Sequence, residues 1–513
     1  MHPRKGTLLS TKAMVMTMNK KTRFGTAALL AALLLGCVVS CGDAADTSVD
    51  TSPITTEAVT EAVTADPNDP YAERMKASAD LPEGLDFDGA HLRSLVNDTN
   101  MMSKDIYVAE ASGEVVDDAV FNRQIYVEDL LNVIIDPSVI VSSVDASAMI
   151  RRSVNAGDDA YDIYLEHMIQ AGIDTLEGLF RNWYDIPHMD FSHPWYPQDT
   201  IKDMTLDGTM YLLLSDVMLS AFHNTYCSFF NKDIAADYDL PDVYEIVREG
   251  KWTLDKMAEL TKGVYRDLNG DGKKDGGDLY GYATSIGSNV VTFFWSFEVP
   301  LVDISSGKPV IVANNERAVD TVSRLEDFLY NNENSFVADK WTDFIDMFVA
   351  EQVLFIPRCV GETMTFFREM ENYGILPFPK YDEAQENYYT MIDGCSPLIA
   401  VPKTAVNTEM IGAVLEAMGE YSYKYVVPAY YDVALKVKGT RDENSIEMLD
   451  ITFDGRIVDF AFVYDNWKGY AFALQNVLKK GNIQDYTSYY KKTEKSAIKH
   501  FEDVYEQFLE HGE

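Results

Sequence analysis

The chain is short of cysteine, of recognisable catalytic motifs and of positive charge, and each shortage removes a class of function. Five cysteines occur in 513 residues, and two of them, Cys37 and Cys41, sit in an apolar leader. The remaining three, Cys227, Cys359 and Cys395, show no CxxC spacing and are too scattered for a disulfide framework. Buried free thiols are expected, with a single bridge left open. No G-x-S-x-G elbow, H-E-x-x-H pair or Walker-type glycine loop appears, so the sequence offers no hydrolytic or nucleotide-binding constellation. Lysine and arginine number 43 against 82 acidic residues, a formal charge of −39. The first 41 residues hold six of those bases and no acid, so the chain without them carries −45. Such a surface repels phosphate backbones, which excludes nucleic acid as a partner.

What is present begins with an export signal. From Met18, a better initiator than Met1, the chain reads MNKKTRF and then GTAALLAALLLGCVVSCGD. A basic start followed by an apolar run of this length is a signal peptide and not a spanning helix. The run ends in two overlapping boxes of the bacterial lipoprotein type, LLGC at Cys37 and VVSC at Cys41. Cys41 is favoured, because Gly42-Asp43 follows it and the apolar run continues through Val38-Val39. Lipidation there anchors the chain to the outer face of the cell membrane. Residues 42–84 are rich in Thr, Ala, Asp and Ser, with TEAVTEAVTA repeated, and read as a flexible acidic tether.

The remaining length exceeds what one hydrophobic core supports, so two domains are expected. Strand-like runs alternate with helical ones, which argues for α/β layering. LDFDGAHLRSLV and YDIYLEH read as strands. DDAVFNRQIYVEDLLNVII reads as a helix entering a strand, with Val120, Ile125, Val127 and Leu130 to Val133 on its apolar face. DMTL and TMYLLLS, separated by Asp207-Gly208, read as a hairpin, and Asn231-Lys232-Asp233 as a turn. Thr253 is placed as the N-cap of a helix burying Leu254, Met257, Leu260 and Val264. Asn407 is expected to cap Met410–Met418, and Ile498, Phe501, Val504, Tyr505 and Phe508 form one face of a closing helix.

One loop has metal-ligand spacing. Asp267, Asn269, Asp271, Lys273, Asp275 and Asp278 occupy positions 1, 3, 5, 7, 9 and 12 of a twelve-residue stretch with Gly272 sixth. This is the EF-hand pattern, with Lys273 contributing its carbonyl. Asp in place of Glu at position 12 and the Lys273-Lys274 pair point to weak affinity, suited to extracellular calcium, and to a structural role. A solvated Asx-rich turn is the plain alternative.

The ordered set DDAVFNR, FFNKD, KWTLDKMAELTK, DLNGDGKKDGGDLYGY, YGILPFPKYDEAQENYY and VPAYYDVALK behind a lipobox resembles bacterial extracellular solute-binding lipoproteins. They are carbohydrate ABC importer receptors of the maltose-binding-like, type II periplasmic-binding superfamily, and the resemblance spans roughly residues 85–510. It implies an α/β fold of two lobes joined by a hinge, with the first lobe in 85–223, the second in 224–375, a return to the first in 376–425 and a second-lobe part in 426–513. It also implies a monomeric receptor, not an enzyme, that binds a carbohydrate, an oligosaccharide in particular, in the cleft and delivers it to permease subunits. A glycan-binding surface adhesin and a glycoside-active enzyme are the alternatives. Matching segments place ligand contacts at Asp98, Glu166, Asn224, Tyr226, Trp295, Arg358, Tyr430 and Trp467, in loops at strand ends where open α/β sheets bind ligands. Asn97, Thr99, His167, Met168 and Trp195 lie close by in sequence or border the same region. Trp295 is read as following a loop, SNVVTFF, and Trp252 and Trp341 as helix-packing residues.

Overall fold

The computed structural model describes residues 71–435, 443–479 and 481–512. Cys37, Cys41 and the tether up to residue 70 lie outside the described residues. Two mixed sheets organise the rest. In the first, Ser94–Asn97 is central, with Val139–Val141 and Ile163–His167 parallel to it on either side. Pro397–Ala400 adds antiparallel to Ile163–His167. In the second, Tyr280–Ser285 lies between Ser335–Ala338 and Val353–Cys359, all parallel. Tyr226–Asn231 runs antiparallel to Val353–Cys359, and Tyr373–Leu376 antiparallel to Tyr226–Asn231 at the edge. The described residues form one compact unit that contains both sheets.

The sequence accounts for the layering. In Tyr226–Asn231 every residue is buried, as expected of a strand covered on both faces. Side-chain alternation sends Phe229 and Phe230 to opposite sides. Phe229 meets Phe367 edge-on at 4.9 Å and also Phe348 and Tyr373. Phe230 meets Tyr244 and Phe355, in the cluster that also takes Trp252 and Leu254. The helix Leu254–Thr261 starts where Thr253 accepts a hydrogen bond from the Lys256 amide at 3.2 Å. It buries Leu254, Met257 and Leu260, with Val264 buried just beyond it.

Several expectations are corrected. LDFDGAHLRSLV divides at Arg93: Ala90–Leu92 pairs with Val133–Ile135 in a separate two-stranded sheet, and only Ser94–Asn97 enters the first main sheet. In the helix Val115–Leu131 the inward face carries Val116, Val120, Arg123, Gln124, Val127 and Leu131, while Ile125 and Leu130 are exposed. The inward face thus includes an arginine and a glutamine that hydrophobic periodicity could not select. The expected hairpin is a turn closed by the single Leu206–Thr209 bridge. Its first arm belongs to the helix Gln198–Met204, and Leu213 in its second arm bridges to Ile399 instead. Asn231 caps the helix Lys232–Asp237 by accepting from the Ile234 amide, so the expected turn is a helix start. Asn407 precedes the helix Thr408–Tyr421 without a side-chain cap bond. On the closing helix Tyr486–Gly512, Ile498 is exposed while Phe501, Val504 and Phe508 are buried. The tether reading extended through Gly84, but from Tyr71 the chain is docked, with a short 3-10 turn at Arg74–Lys76 and Ala79 buried in the core.

Candidate functional site

The two sheets meet where the chain passes between them. Asn224–Tyr226 runs beside Thr390–Asp393: Thr225 bridges Ile392, the Asp393 amide donates to the Asn224 carbonyl at 2.9 Å, and Thr390 Oγ1 donates to the Tyr226 carbonyl at 2.7 Å. The Tyr226 hydroxyl donates to the Asp393 carboxylate at 3.0 Å. Next in the chain, Gly394 is a close-approach glycine. A Cβ there would lie 2.9 Å from the Phe462 ring and 3.2 Å from that of His167, so this crossing presses the ends of three distant segments together.

His167 ends the strand Ile163–His167 and caps the next helix, its Nδ1 accepting from the Ile169 amide at 3.3 Å. Burial holds its pKa down. Its ring stacks at a tilt on Trp467, centroids 5.2 Å apart. Trp467 is 57 % exposed and lies in the left-handed region at φ +54°, directly after Asn466 at φ +51°. Consecutive non-glycine residues in that region are costly and persist only where surrounding structure imposes them. Here the constraint is the buried Asp465 carboxylate, which accepts from the Gly469 amide at 2.7 Å and the Ala471 amide at 3.0 Å. The turn that carries this exposed ring is thus tied down through Asp465.

The other expected contacts are placed unequally. Asp98 is exposed at the end of its strand, beside Asn97. Glu166 is fully buried inside the lobe, where it accepts from Asn97 Nδ2, the His167 amide and the Tyr164 hydroxyl. Burial raises its pKa, and its acceptor sites serve the sheet. Met168 is buried beneath it. Trp295 ends a helix, Ser288–Ser296, where a loop was expected. It is 5 % exposed, meets Phe462 edge-on at 5.8 Å and hydrogen-bonds to Asp459. With Tyr389, Phe460, Asp203, Glu298 and Asp459 it borders a cavity of about 380 Å³. Burial raises Asp203 to about 6 and Asp459 to about 7.

Arg358 ends the strand Val353–Cys359, paired with Glu362 and lying 4.9 Å over the ring of Trp341. That ring is exposed and covers an arginine, contrary to the packing role expected of Trp341. Trp252 and Trp195 are fully buried; Trp195 donates from Nε1 to Glu416 at 3.1 Å and borders no cleft. Tyr430 is also fully buried, in the core against Phe222 at 6.1 Å. Of the expected contacts, Asn224 and Tyr226 are thus buried at the crossing, Trp467 is exposed against His167, Trp295 is buried against Phe462, and Tyr430 lies in the core. Sequence reasoning missed Asp393, Gly394, Phe462 and Asp465. The Asp393-Gly394 pair was a turn signal that went unread. Cys227, Cys359 and Cys395 are free thiols.

In the loop with metal-ligand spacing, Asp267 accepts from the Gly270 and Gly272 amides at 2.6 and 2.9 Å. Asn269, Asp271 and Asp275 each accept from the amide two residues on. Asp278 is buried and accepts from the Leu268 and Asp275 amides, both at 3.3 Å. Lys273 Nζ lies 3.5 Å from Asp271. Among the described residues no group of three or more His, Cys, Asp or Glu side chains is gathered as for a metal ion.

Two α/β lobes with adjoining crossings, and a seam where both lobes contribute side chains, define the two-lobed, maltose-binding-like solute-binding-protein fold. Solved structures that share it include UspC of Mycobacterium tuberculosis, at 13% identity and TM-score 0.52 over 80% of this chain and 100% of that one. The GacH receptor of Streptomyces glaucescens, solved unliganded and with acarbose, matches at 13% identity and TM-score 0.50 over 80% and 99%. A cyclo/maltodextrin-binding protein complexed with maltotetraose matches at 12% identity and TM-score 0.51 over 82% and 97%. No protein-family model and no curated protein sequence matches the chain. Among the described residues no helix is long and apolar enough to cross a membrane.

Proposed function

We propose that the protein is the extracellular substrate-binding component of an ABC importer, anchored through lipid on Cys41, that takes a carbohydrate between its lobes and passes it to permease subunits. The observation that carries this reading is Trp467: a half-exposed indole in a left-handed backbone, pinned by Asp465 and backed by His167. A sugar ring presents C–H groups on its faces and hydroxyls on its edge, and an exposed indole suits the faces. The solved proteins of this fold crystallised with acarbose and maltotetraose agree with that chemistry. An oligosaccharide is the ligand class we favour, in keeping with the acarbose and maltotetraose held by solved proteins of this fold. No catalytic step is assigned. The test is a thermal-melt screen of the body from Ala65 against oligosaccharides and other polar solutes. A ligand binding only the folded state at about 100 times its dissociation constant adds roughly 2.7 kcal/mol. A hit among glycans supports the reading, whereas hits confined to other solutes overturn the carbohydrate assignment.

We also propose that the loop from Asp267 to Asp278 takes calcium as a structural ion. Carboxylate and amide oxygens are hard donors, and the Gly270 and Gly272 amides already turn the loop about Asp267. Asp267, Asn269, Asp271, Asp275 and Asp278, with the Lys273 carbonyl, would hold it. Millimolar calcium should raise the melting temperature relative to chelator, and Asp267→Asn should abolish the difference. Equal melts in the unmodified chain would overturn the assignment.

A further inference from the structure

The first described residues, Tyr71–Ala79, join neither main sheet, yet they are fastened to one place in the fold. Thr408–Tyr421 and Val427–Leu435 form one long helix interrupted by five residues of π-helix, Ser422–Val426. π turns inside α-helices cluster at functional positions. Before the interruption the helix packs in the first lobe: Gly419 lies against the Trp195 indole, and Glu416 accepts from Trp195 and from Tyr196. After it, Val427 and Tyr430 join the core around Phe229 and Val360 of the second lobe. The π turn is therefore where this helix changes lobes.

From the interior the turn is held by Arg123, fully buried, which donates to Ser422 Oγ at 2.9 Å, to the Val217 carbonyl at 3.0 Å and to the Asp105 carbonyl. A second grip comes from the N-terminal residues. The Arg74 guanidinium lies 4.5 Å over the Tyr423 ring and 5.5 Å over the Tyr431 ring. Its Nη2 is 3.6 Å from Asp450 and 3.5 Å from the Tyr431 hydroxyl. Tyr71 meets Tyr431 edge-on at 6.1 Å. The Ala79 amide donates to Glu420 at 2.9 Å, and Glu420 in turn pairs with Lys424 across the junction. The segment thus touches Glu420 before the π turn, Tyr423 within it and Tyr431 after it. Bending the helix at the turn changes the spacing of those three points, so at least one contact must be released.

We propose that Tyr71–Ala79 is a strap across the π turn that limits how far the two lobes swing apart. The inference rests on the hinged-receptor reading, although its test uses the free protein and needs no ligand. The test compares the full exported chain with its Arg74→Ala variant by amide hydrogen exchange and by the distribution of interlobe distances between spin labels. Loss of a partly desolvated cation–π contact and its ion pair should speed exchange across Tyr423–Val427 by on the order of tenfold and broaden the distances. Faster exchange confined to 71–79, with the π turn and the distances unchanged, would show a merely docked tail and overturn the proposal. Uniformly faster exchange over the whole body would do the same. If Arg74→Ala does not fold, Tyr423→Leu keeps the apolar contact, removes the cation–π contact and gives the same readouts. The hinged-receptor reading fails separately: it is refuted if the unmodified chain's interlobe distances respond to no member of an oligosaccharide and polar-solute panel.

Discussion

At the residue scale, Trp467 is the position where conformation and chemistry disagree most. Its backbone would suit glycine, since an L-residue at positive φ costs roughly 1–2 kcal/mol, yet a tryptophan occupies it. Trp467→Gly should therefore leave the melting temperature unchanged or slightly higher while weakening sugar binding about tenfold or more, as titration calorimetry would register. A lower melting temperature with affinity intact would assign the indole a packing role. Asp465 acts on the same ring indirectly, so Asp465→Asn should weaken binding through a loosened turn, with Trp467 fluorescence shifting toward that of a mobile indole. Asp105 makes a prediction about pH. Burial, ahead of the opposing Ser220 hydrogen bonds, raises its pKa to about 7 from an ordinary value near 3.8. Between those values the folded chain holds a proton that the unfolded chain has lost, so this group's contribution to stability falls as pH rises from about 4 to 7. Denaturant unfolding across that range should show the decline, and Asp105→Asn should flatten it. A stability that rises with pH equally in both chains would contradict the assignment.

At the element scale, the strand Tyr226–Asn231 joins the two apolar clusters of the second sheet. Phe229→Ala should cost about 3–5 kcal/mol, read as a lower denaturant midpoint at unchanged slope. A loss under 1 kcal/mol would mean that the aromatic cluster around Phe367 and Phe348 is not a principal support of the lobe. Much of this architecture was legible beforehand, because buried strands such as that in YDIYLEH and capped amphipathic helices such as that after Thr253 are written into the sequence. SNVVTFFWS was less so: a helix buried on all sides has no polar stripe to reveal its 3.6-residue repeat. The 210–215 arm misled for a related reason, since its apolar alternation reflects burial beside Ile399 and not a partner strand next to it. The candidate site was legible only in part. Trp467 was reached only through the resemblance, and Asp393 and Phe462 matter through contacts separated by scores of residues. Tyr430 is the converse case, an aromatic in suggestive company that the fold turns into the core.

At the scale of the whole molecule, two of the passages between the sheets are the isolated bridge of Thr225 to Ile392 and the long helix with its π turn. The proposed receptor role requires that distances across these passages change while those within a lobe stay fixed. The strong acidic excess disfavours anionic surfaces as partners. The most direct test of the account is titration calorimetry of the body from Ala65 and of its Trp467→Gly variant against oligosaccharides of two to four rings. The account predicts saturable binding by the unmodified chain, with affinity reduced about tenfold or more in the variant at an unchanged melting temperature. Equal affinity in both chains, or binding only to solutes without a sugar ring, would contradict it.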